Sequence, residues 1–357
     1  MKKIYIIGQL PPPIHGLSKA IETLANSEMI KKTYNIESLN ITNNKKILNH
    51  IMKIIKSKAD VYYFTISQTK FGNLRDMLIL LVLLMKKQKI IIHYHGGYYK
   101  KLYLSMSYLQ KKVNRILISK IDIMIALGNS LKLIFEDVIN IDKVRVCENF
   151  VEDASLIQNQ EFDIKQIQMV KQLDLNVLYL SNFIETKGYK DVLKAAMLIK
   201  GEKNITFNFA GAFYSKQAEK EFKYLIDEYG ISSLVKYHGV VSGEKKRNLL
   251  RDCSIFVLPT YYPNEGQPIS IIEAMGNGLA VISTSHAGIP DIVDKTNGFI
   301  VKKQSPDQIA NHIINLYRNR EFLVDITRKN RALVMSSYKE INYIKKLDKI
   351  FNEVINK

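Results

Sequence analysis

The chain has 357 residues, 46% of them apolar and 24% charged, with a net charge of +18 and two cysteines. That length suits two domains, and the composition excludes a disordered, collagenous or disulfide-stapled protein. Cys147 and Cys253 sit in no CxxC or Cys/His cluster, so no disulfide framework or structural zinc is expected, and a reducing cytoplasm is the expected compartment.

The charge is uneven. Residues 1–150 carry 24 Lys/Arg against 10 Asp/Glu, a net of +14, whereas the remainder carries 28 against 24. A basic half of this kind suits an anionic partner, such as lipid headgroups, nucleic acid or a polyanionic substrate, or else reflects a Lys-rich solvated surface.

In chain order, the opening MKKIYIIGQLPPP looks only superficially like a secretory leader. Its apolar run is short, lacks a small-residue cleavage site and breaks into prolines, so it reads as a first strand over 3–9. Further β-branched runs at 34–41, 60–67, 89–96, 121–128 and 144–149 alternate with helical stretches. Several are apolar almost throughout, as expected of strands covered on both faces of a parallel sheet. The longest apolar run, MLILLVLLM at 77–85, has nine residues against the roughly 20 that span a bilayer. It lies within DMLILLVLLMKKQK (76–89), which ends in cations; KKLYLSMSYLQKKVNRILISK (100–120) mixes cations with Tyr, Leu and Ile at helical spacing. Each reads either as a buried core helix or as a basic amphipathic helix at a membrane interface.

A stretch of weak pattern, 150–172, reads as linker. Strand runs resume at 176–182, 205–211, 235–240, 254–260, 280–285 and 298–301, and helical sequence follows from Ser305 to the end. Two such arrays predict an α/β fold of two doubly wound, Rossmann-like domains. The expected layout is a first domain over 1–155, a linker region over 156–174, a second domain over 175–335, and a C-terminal helix over 336–357 packing back on the first. Such sheets bind ligands beyond the carboxyl ends of their strands, so a cleft between the two facing domains is the expected site.

The residues after the strands follow that logic. Gly16 opens a helix after the first strand, where a missing side chain lets a phosphate approach free N–H groups, although a plain strand–helix turn would look the same. Neither GxGxxG nor GxxxxGK[ST] occurs. In HYHGGYYKK, His93 and His95 share one side of an extended segment ended by Gly96 and Gly97; no third ligand at matching spacing supports a metal. Lys187 and Gly188 stand at a helix start, where a cation opposes the dipole unless an anion is held between them. In NEGQPISIIEAMGNG (264–278), Pro268 suits the first turn of a helix. Glu265 then lies outside that helix and Glu273 about one and a half turns within it. The helix N–H groups suit a diphosphate and the two carboxylates suit hydroxyl pairs, the pattern of a sugar nucleotide.

The Glu-x7-Glu arrangement, followed by AMGNGLAVISTSHAGIPDIV (274–293), resembles the retaining GT-B glycosyltransferases of family four, or group 1. SNFIETKG (181–188), FAG (209–211) and the run 237–260 are similar to its other segments, and PPPIHG, HYHGG and CENFV (147–151) to weaker signposts. The resemblance implies a GT-B fold, a nucleoside-diphosphate sugar as donor, no cofactor and no metal, in line with the absence of Asp-x-Asp. It implies that Glu273 holds the ribose, Glu265 and His95 face the donor sugar, and Lys187 neutralises the leaving diphosphate. The backbone from Gly266 through Gln267, Pro268 and Ile269 would line the sugar and phosphate pocket, and Gly16 would add an amide contact. Asn182 stands where the family usually has an Arg; it supplies no bidentate cationic contact, leaving Lys187 alone or with Lys190.

The implied reaction is hexose transfer to an acceptor hydroxyl with retention, in bacterial capsule, O-antigen or exopolysaccharide assembly. The expected partners are a uridine-diphosphate or similar sugar, a lipid-linked saccharide acceptor and the anionic inner face of the cell membrane, with the protein cytoplasmic or peripheral. A nucleotide-sugar 2-epimerase on a similar two-domain fold is the alternative. A nucleic-acid-binding protein is set aside, because no aromatics interleave with cations on a strand face.

Overall fold

The structure, a computed structural model, describes residues 1–12 and 16–356. Pro13, Ile14 and His15, inside the PPPIHG signpost, lie outside the described residues. The chain divides into two compact units, one of residues 1–149, 264–267 and 340–357, the other of residues 150–263 and 268–339.

The first unit holds strands β1 (Lys2–Gly8), β2 (Tyr34–Asn40), β3 (Val61–Thr65), β4 (Ile90–His93), β5 (Ile123–Ala126) and β6 (Val144–Val146). They form one parallel sheet in the order β2-β1-β3-β4-β5-β6. Helices α1 (Gly16–Asn26), α2 (Glu28–Thr33), α3 (Ile47–Lys56), α4 (Lys70–Met85), α5 (Tyr99–Leu104) and α6 (Tyr108–Ile118) occupy the crossovers. The isoleucines, valines and aromatics of β1, β3, β4 and β5 are buried, as strands covered on both faces require.

The second unit holds β7 (Leu175–Leu180), β8 (Ile205–Ala210), β9 (Val235–Tyr237), β10 (Ile255–Leu258), β11 (Ala280–Thr284) and β12 (Gly298–Val301). Their order is β12-β11-β10-β7-β8-β9, again parallel, so the winding direction reverses between β7 and β10. Its helices are α7 (Asn159–Lys171), α8 (Tyr189–Leu198), α9 (Lys216–Tyr229), α10 (Gly243–Asp252), α11 (Ile269–Gly276), α12 (Pro306–Arg318) and α13 (Arg320–Ser337).

The final helix, α14 (Glu340–Ile355), belongs to the first unit. Arg145 clasps Glu353 through both carboxylate oxygens, at 2.6 and 3.0 Å, and the Tyr34 hydroxyl donates to Asp348 at 2.8 Å.

Helix α7 occupies the stretch expected to be linker. Its inward residues are Lys165, Gln166 and Met169, so polar side chains hold its core-facing positions and apolar periodicity fails to mark it. Gln166 donates to the Thr327 hydroxyl at 2.9 Å, and the Lys165 amine donates to the carbonyls of Leu250 (2.9 Å) and Asn277 (2.8 Å). Glu161 accepts from the Gln158 amide at 2.7 Å, closing the helix N-terminus.

Burial pushes the Lys165 amine down to about 7. Between that value and the ordinary lysine range the unfolded chain binds the proton more tightly than the folded one, so stability rises with pH across this window. Lys165→Met should therefore flatten the pH dependence of the unfolding free energy between neutral pH and about pH 10. Denaturant titrations of both proteins across that range check this; an unchanged slope would show that the amine stays charged in the fold.

Candidate functional site

Reversal of winding between β7 and β10 splays the loops that follow them, and an open sheet offers its ligand crevice there. The loop after β7 makes a 3₁₀ turn, Glu185–Lys187, and Gly188 then caps α8 at φ +80°. A side chain at 188 would meet the Pro259 carbonyl at 2.7 Å, so glycine is needed both for its left-handed backbone and for this close approach to the loop after β10. The Tyr261 amide donates to the Thr186 carbonyl at 2.8 Å, and the Lys187 amine stands 4.9 Å from the Tyr262 ring centroid. The lysine is thereby placed at the strand ends. It closes the turn before α8, and Gly188, the expected helix start, is the cap itself.

Lys190, considered as a second cation, is engaged elsewhere. Its amine binds Glu221 at 2.6 Å and Glu185 at 3.4 Å. Asn182 is exposed, and its carbonyl accepts from the Tyr179 hydroxyl at 3.2 Å and the Ile184 amide at 2.9 Å.

Helix α11 begins at Ile269, one residue later than expected, with Pro268 in extended conformation just before it. Proline lacks an N–H, the Ile271 amide donates to the Pro268 carbonyl at 3.2 Å, and the first amides of any helix have no intrahelical partner. Glu273 lies within α11 and is buried, which raises its carboxyl above the usual carboxylate range, while the Lys246 amine, 2.5 Å away, opposes that rise. Lys246 was not foreseen. It sits among the charges of SGEKKRNLLRD, inside the run 237–260, where no single lysine stands out.

The remaining candidates lie in the first unit. Asn264–Gln267 belongs there, and Glu265 and Gln267 are buried. A side chain at Gly266 would meet Leu127 at 2.9 Å and the Gly96 Cα at 3.0 Å, so this backbone lies directly against the glycine that follows His95. Gln267 accepts from the Asn149 amide at 2.8 Å, and the Asn149 side chain donates back to the Gln267 carbonyl at 2.7 Å. The buried Gln267 Nε2 has no hydrogen-bond partner among the described residues.

Strand β4 ends at His93, before His95, yet the two rings lie together, 3.9 Å between centroids. His93 is fully buried with its Nδ1 2.6 Å from the Tyr63 hydroxyl; burial, then His95, push it well below the ordinary histidine range, so it is a neutral core residue. The His95 carbonyl accepts from Gln68 Nε2 at 3.0 Å. Gly16 is the exposed first residue of α1.

The structure therefore groups Lys187, Pro268, Ile269, Glu273 and Asn182 in the second unit, and His95, Glu265, Gly266, Gln267 and Gly16 in the first.

Both sheets and their strand ends define a GT-B fold, and residues 160–333 match the family described as glycosyl transferases, group 1. Relatives include the amylovoran biosynthesis glycosyltransferase AmsK of Erwinia amylovora, 24% identical over 52% of this chain and 46% of its own length. The putative colanic acid biosynthesis glycosyltransferase WcaL of Salmonella typhimurium is 22% identical over 47% and 42%. An N,N'-diacetylbacillosaminyl-diphospho-undecaprenol alpha-1,3-N-acetylgalactosaminyltransferase of Campylobacter jejuni is 26% identical over 50% and 45%. The matches thus span less than half the length of these curated relatives. In fold, HepE of Anabaena, solved with UDP, superposes with a TM-score of 0.78 at 14% identity, covering 98% of this chain and all of that one. Sucrose-phosphate synthase of Thermosynechococcus elongatus gives 0.75 at 14%, covering 99% and 100%.

Two outcomes follow from this geometry. Gly188→Ala should cost about 1–3 kcal/mol in chemical denaturation, from left-handed strain and the clash with Pro259; a cost near zero would mean that the loop yields freely. Lys246→Met should move the Glu273 carboxyl titration, followed by carbon-13 NMR, to higher pH, because desolvation is then unopposed.

Proposed function

We propose that the chain transfers a hexose-type sugar from a nucleoside-diphosphate sugar to an acceptor hydroxyl, with retention of anomeric configuration, in bacterial surface polysaccharide assembly. The observation that carries the reading is the pairing of Lys187 with the α11 loop at the winding reversal of the second sheet. The anionic leaving group meets a cation from one loop and helix N–H groups from the other, and these fixed charges need no reorganisation as the bond breaks.

Glu273 takes the ribose hydroxyls, with the Lys246 amine opposing the rise that burial imposes on its carboxyl. Ile269 and Pro268 border the diphosphate. Gln267, with its unpartnered buried donor, and Gly266 serve the sugar with Glu265 and His95, and Gly16 contributes an amide. The acceptor hydroxyl attacks the anomeric carbon on the face from which the diphosphate departs. The carbon–phosphate oxygen bond breaks as the new glycosidic bond forms, and the hydroxyl proton passes to a donor phosphate oxygen. No metal or cofactor is needed, because Lys187 and the helix amides carry the developing charge.

A uridine nucleotide is favoured by HepE, which is solved with UDP and with UDP-glucose. A lipid-linked acceptor and an anionic membrane surface are favoured by the undecaprenol-linked substrate in the C. jejuni relative's name and by the net +14 of residues 1–150. Cytoplasmic or peripheral placement accords with the described helices, none of which is long and apolar enough to cross a membrane. The reported relatives are named as transferases and one solved neighbour as a synthase, which leaves the epimerase alternative without support.

A thermal-shift panel of uridine-, guanosine- and adenosine-diphosphate sugars tests the donor site. One nucleotide should stabilise the protein, Glu273→Ala should abolish that shift, and a retained shift would displace the ribose from Glu273. Lys187→Ala should lower kcat by about a hundredfold or more, in the manner of a lost transition-state contact. Nucleoside diphosphate released without added acceptor, at the same rate as with it, would overturn transfer.

A further inference from the structure

On the first unit, α4 packs between α3 and α6. The arrangement is rigid. Lys86, just past α4, donates to the carbonyls of Ile54 (2.5 Å) and Ser57 (2.7 Å) at the end of α3. Asn73 of α4 and Asn114 of α6 exchange hydrogen bonds of 2.8 and 2.9 Å, and Gln110 adds a third of 2.9 Å.

Core-facing Met77, Ile79, Leu80 and Leu83 account for only part of the apolar surface of α4. Its outer side carries Phe71, Leu74, Leu78, Leu81 and Met85, at alternating three- and four-residue spacing and exposed by 42 to 86%. Leu48, Met52 and Ile55 make a matching exposed stripe on α3, and Leu109 and Ile116 continue it on α6. Scattered exposed leucines are ordinary; aligned stripes on neighbouring helices mark a surface that something covers.

Charge identifies the occupant. Lys45 and Lys46 precede α3, and Lys53 and Lys56 lie on it; Lys111, Lys112 and Arg115 lie on α6. The sole acid in the three helices is Asp76, buried and bound to Arg75 at 2.7 Å. A second copy of this face would bring cations against cations. An anionic bilayer meets both features, with phosphates for the lysines and an acyl boundary for the stripes. At about 1.5 Å per residue, the 16 residues of α4 span roughly 24 Å, short of the hydrocarbon thickness, so the helix lies along the surface.

We propose that the α3–α4–α6 face is the seat of this protein on an anionic lipid bilayer. This deepens the membrane element of the proposed function by naming the surface, and rests on no particular donor.

The test is co-sedimentation of the full chain with vesicles of phosphatidylcholine alone, or mixed with phosphatidylglycerol, at low and physiological salt. The protein should pellet with the mixed vesicles and release partly as salt rises. The pair Phe71→Glu/Leu78→Glu, both at exposed positions, should lower partitioning about tenfold or more, as should Lys111→Glu/Lys112→Glu. Circular dichroism and the sugar-nucleotide thermal shift should stay unchanged in both variants, so loss of lipid binding separates from loss of fold or donor site. Three results would overturn the proposal: no binding to mixed vesicles, wild-type partitioning of both variants, or a solution dimer that either variant dissociates. Failure of every sugar nucleotide with lipid binding intact would instead sink the donor reading and leave this one standing.

Discussion

The backbone of Gly188 against the carbonyl of Pro259 is the contact on which the second unit's strand ends depend. There is no room for a side chain and the residue is left-handed, so the loops after β7 and β10 are held at contact distance. Lys187 owes its position to that closure, because a cation on a loose loop gains little from an anion it must first find. The Tyr262 ring beneath its amine adds a second constraint on where the charge stands.

A second constraint is electrostatic. A carboxylate inside α11 is costly unless something opposes desolvation, and Lys246 does so at 2.5 Å. The same pairing explains why an acid in the interior of a short helix is compatible with a stable core: the neighbouring positions Ile271, Ile272, Ala274 and Met275 are fully or almost fully buried. Lys190 shows the opposite case, a nearby cation whose charge is spent on Glu221 and Glu185.

Much of the architecture was legible in the sequence. Each of the expected strand runs contains a strand, because buried parallel strands write themselves as β-branched runs and that pattern needs no tertiary knowledge. Helix α7 was not legible, since its inward side chains include Lys165 and Gln166, whose burial depends on carbonyls and a hydroxyl supplied by α10, the residue after α11, and α13. At the candidate site, Lys187 stood out as a cation at a helix start, Pro268 as a proline suited to a first helical turn, and Glu273 through its spacing from Glu265. Lys246 and Gln68 did not, being ordinary surface residue types until the fold supplies their partners. Of the two histidines, the sequence singled out His95 through its strand-end position, and packing shows why His93 differs: its ring is fully buried and the His95 residue only half-buried.

The outer stripe of α4 has a bearing on how the polypeptide survives its own synthesis. A row running from Phe71 to Met85 offers newly made chains a place to stick to one another. Cations beside it, Lys70 at one end and Lys87 at the other, act as gatekeepers that keep neighbouring copies apart in dilute aqueous conditions. Neutralising them would be expected to cost yield before it cost anything else.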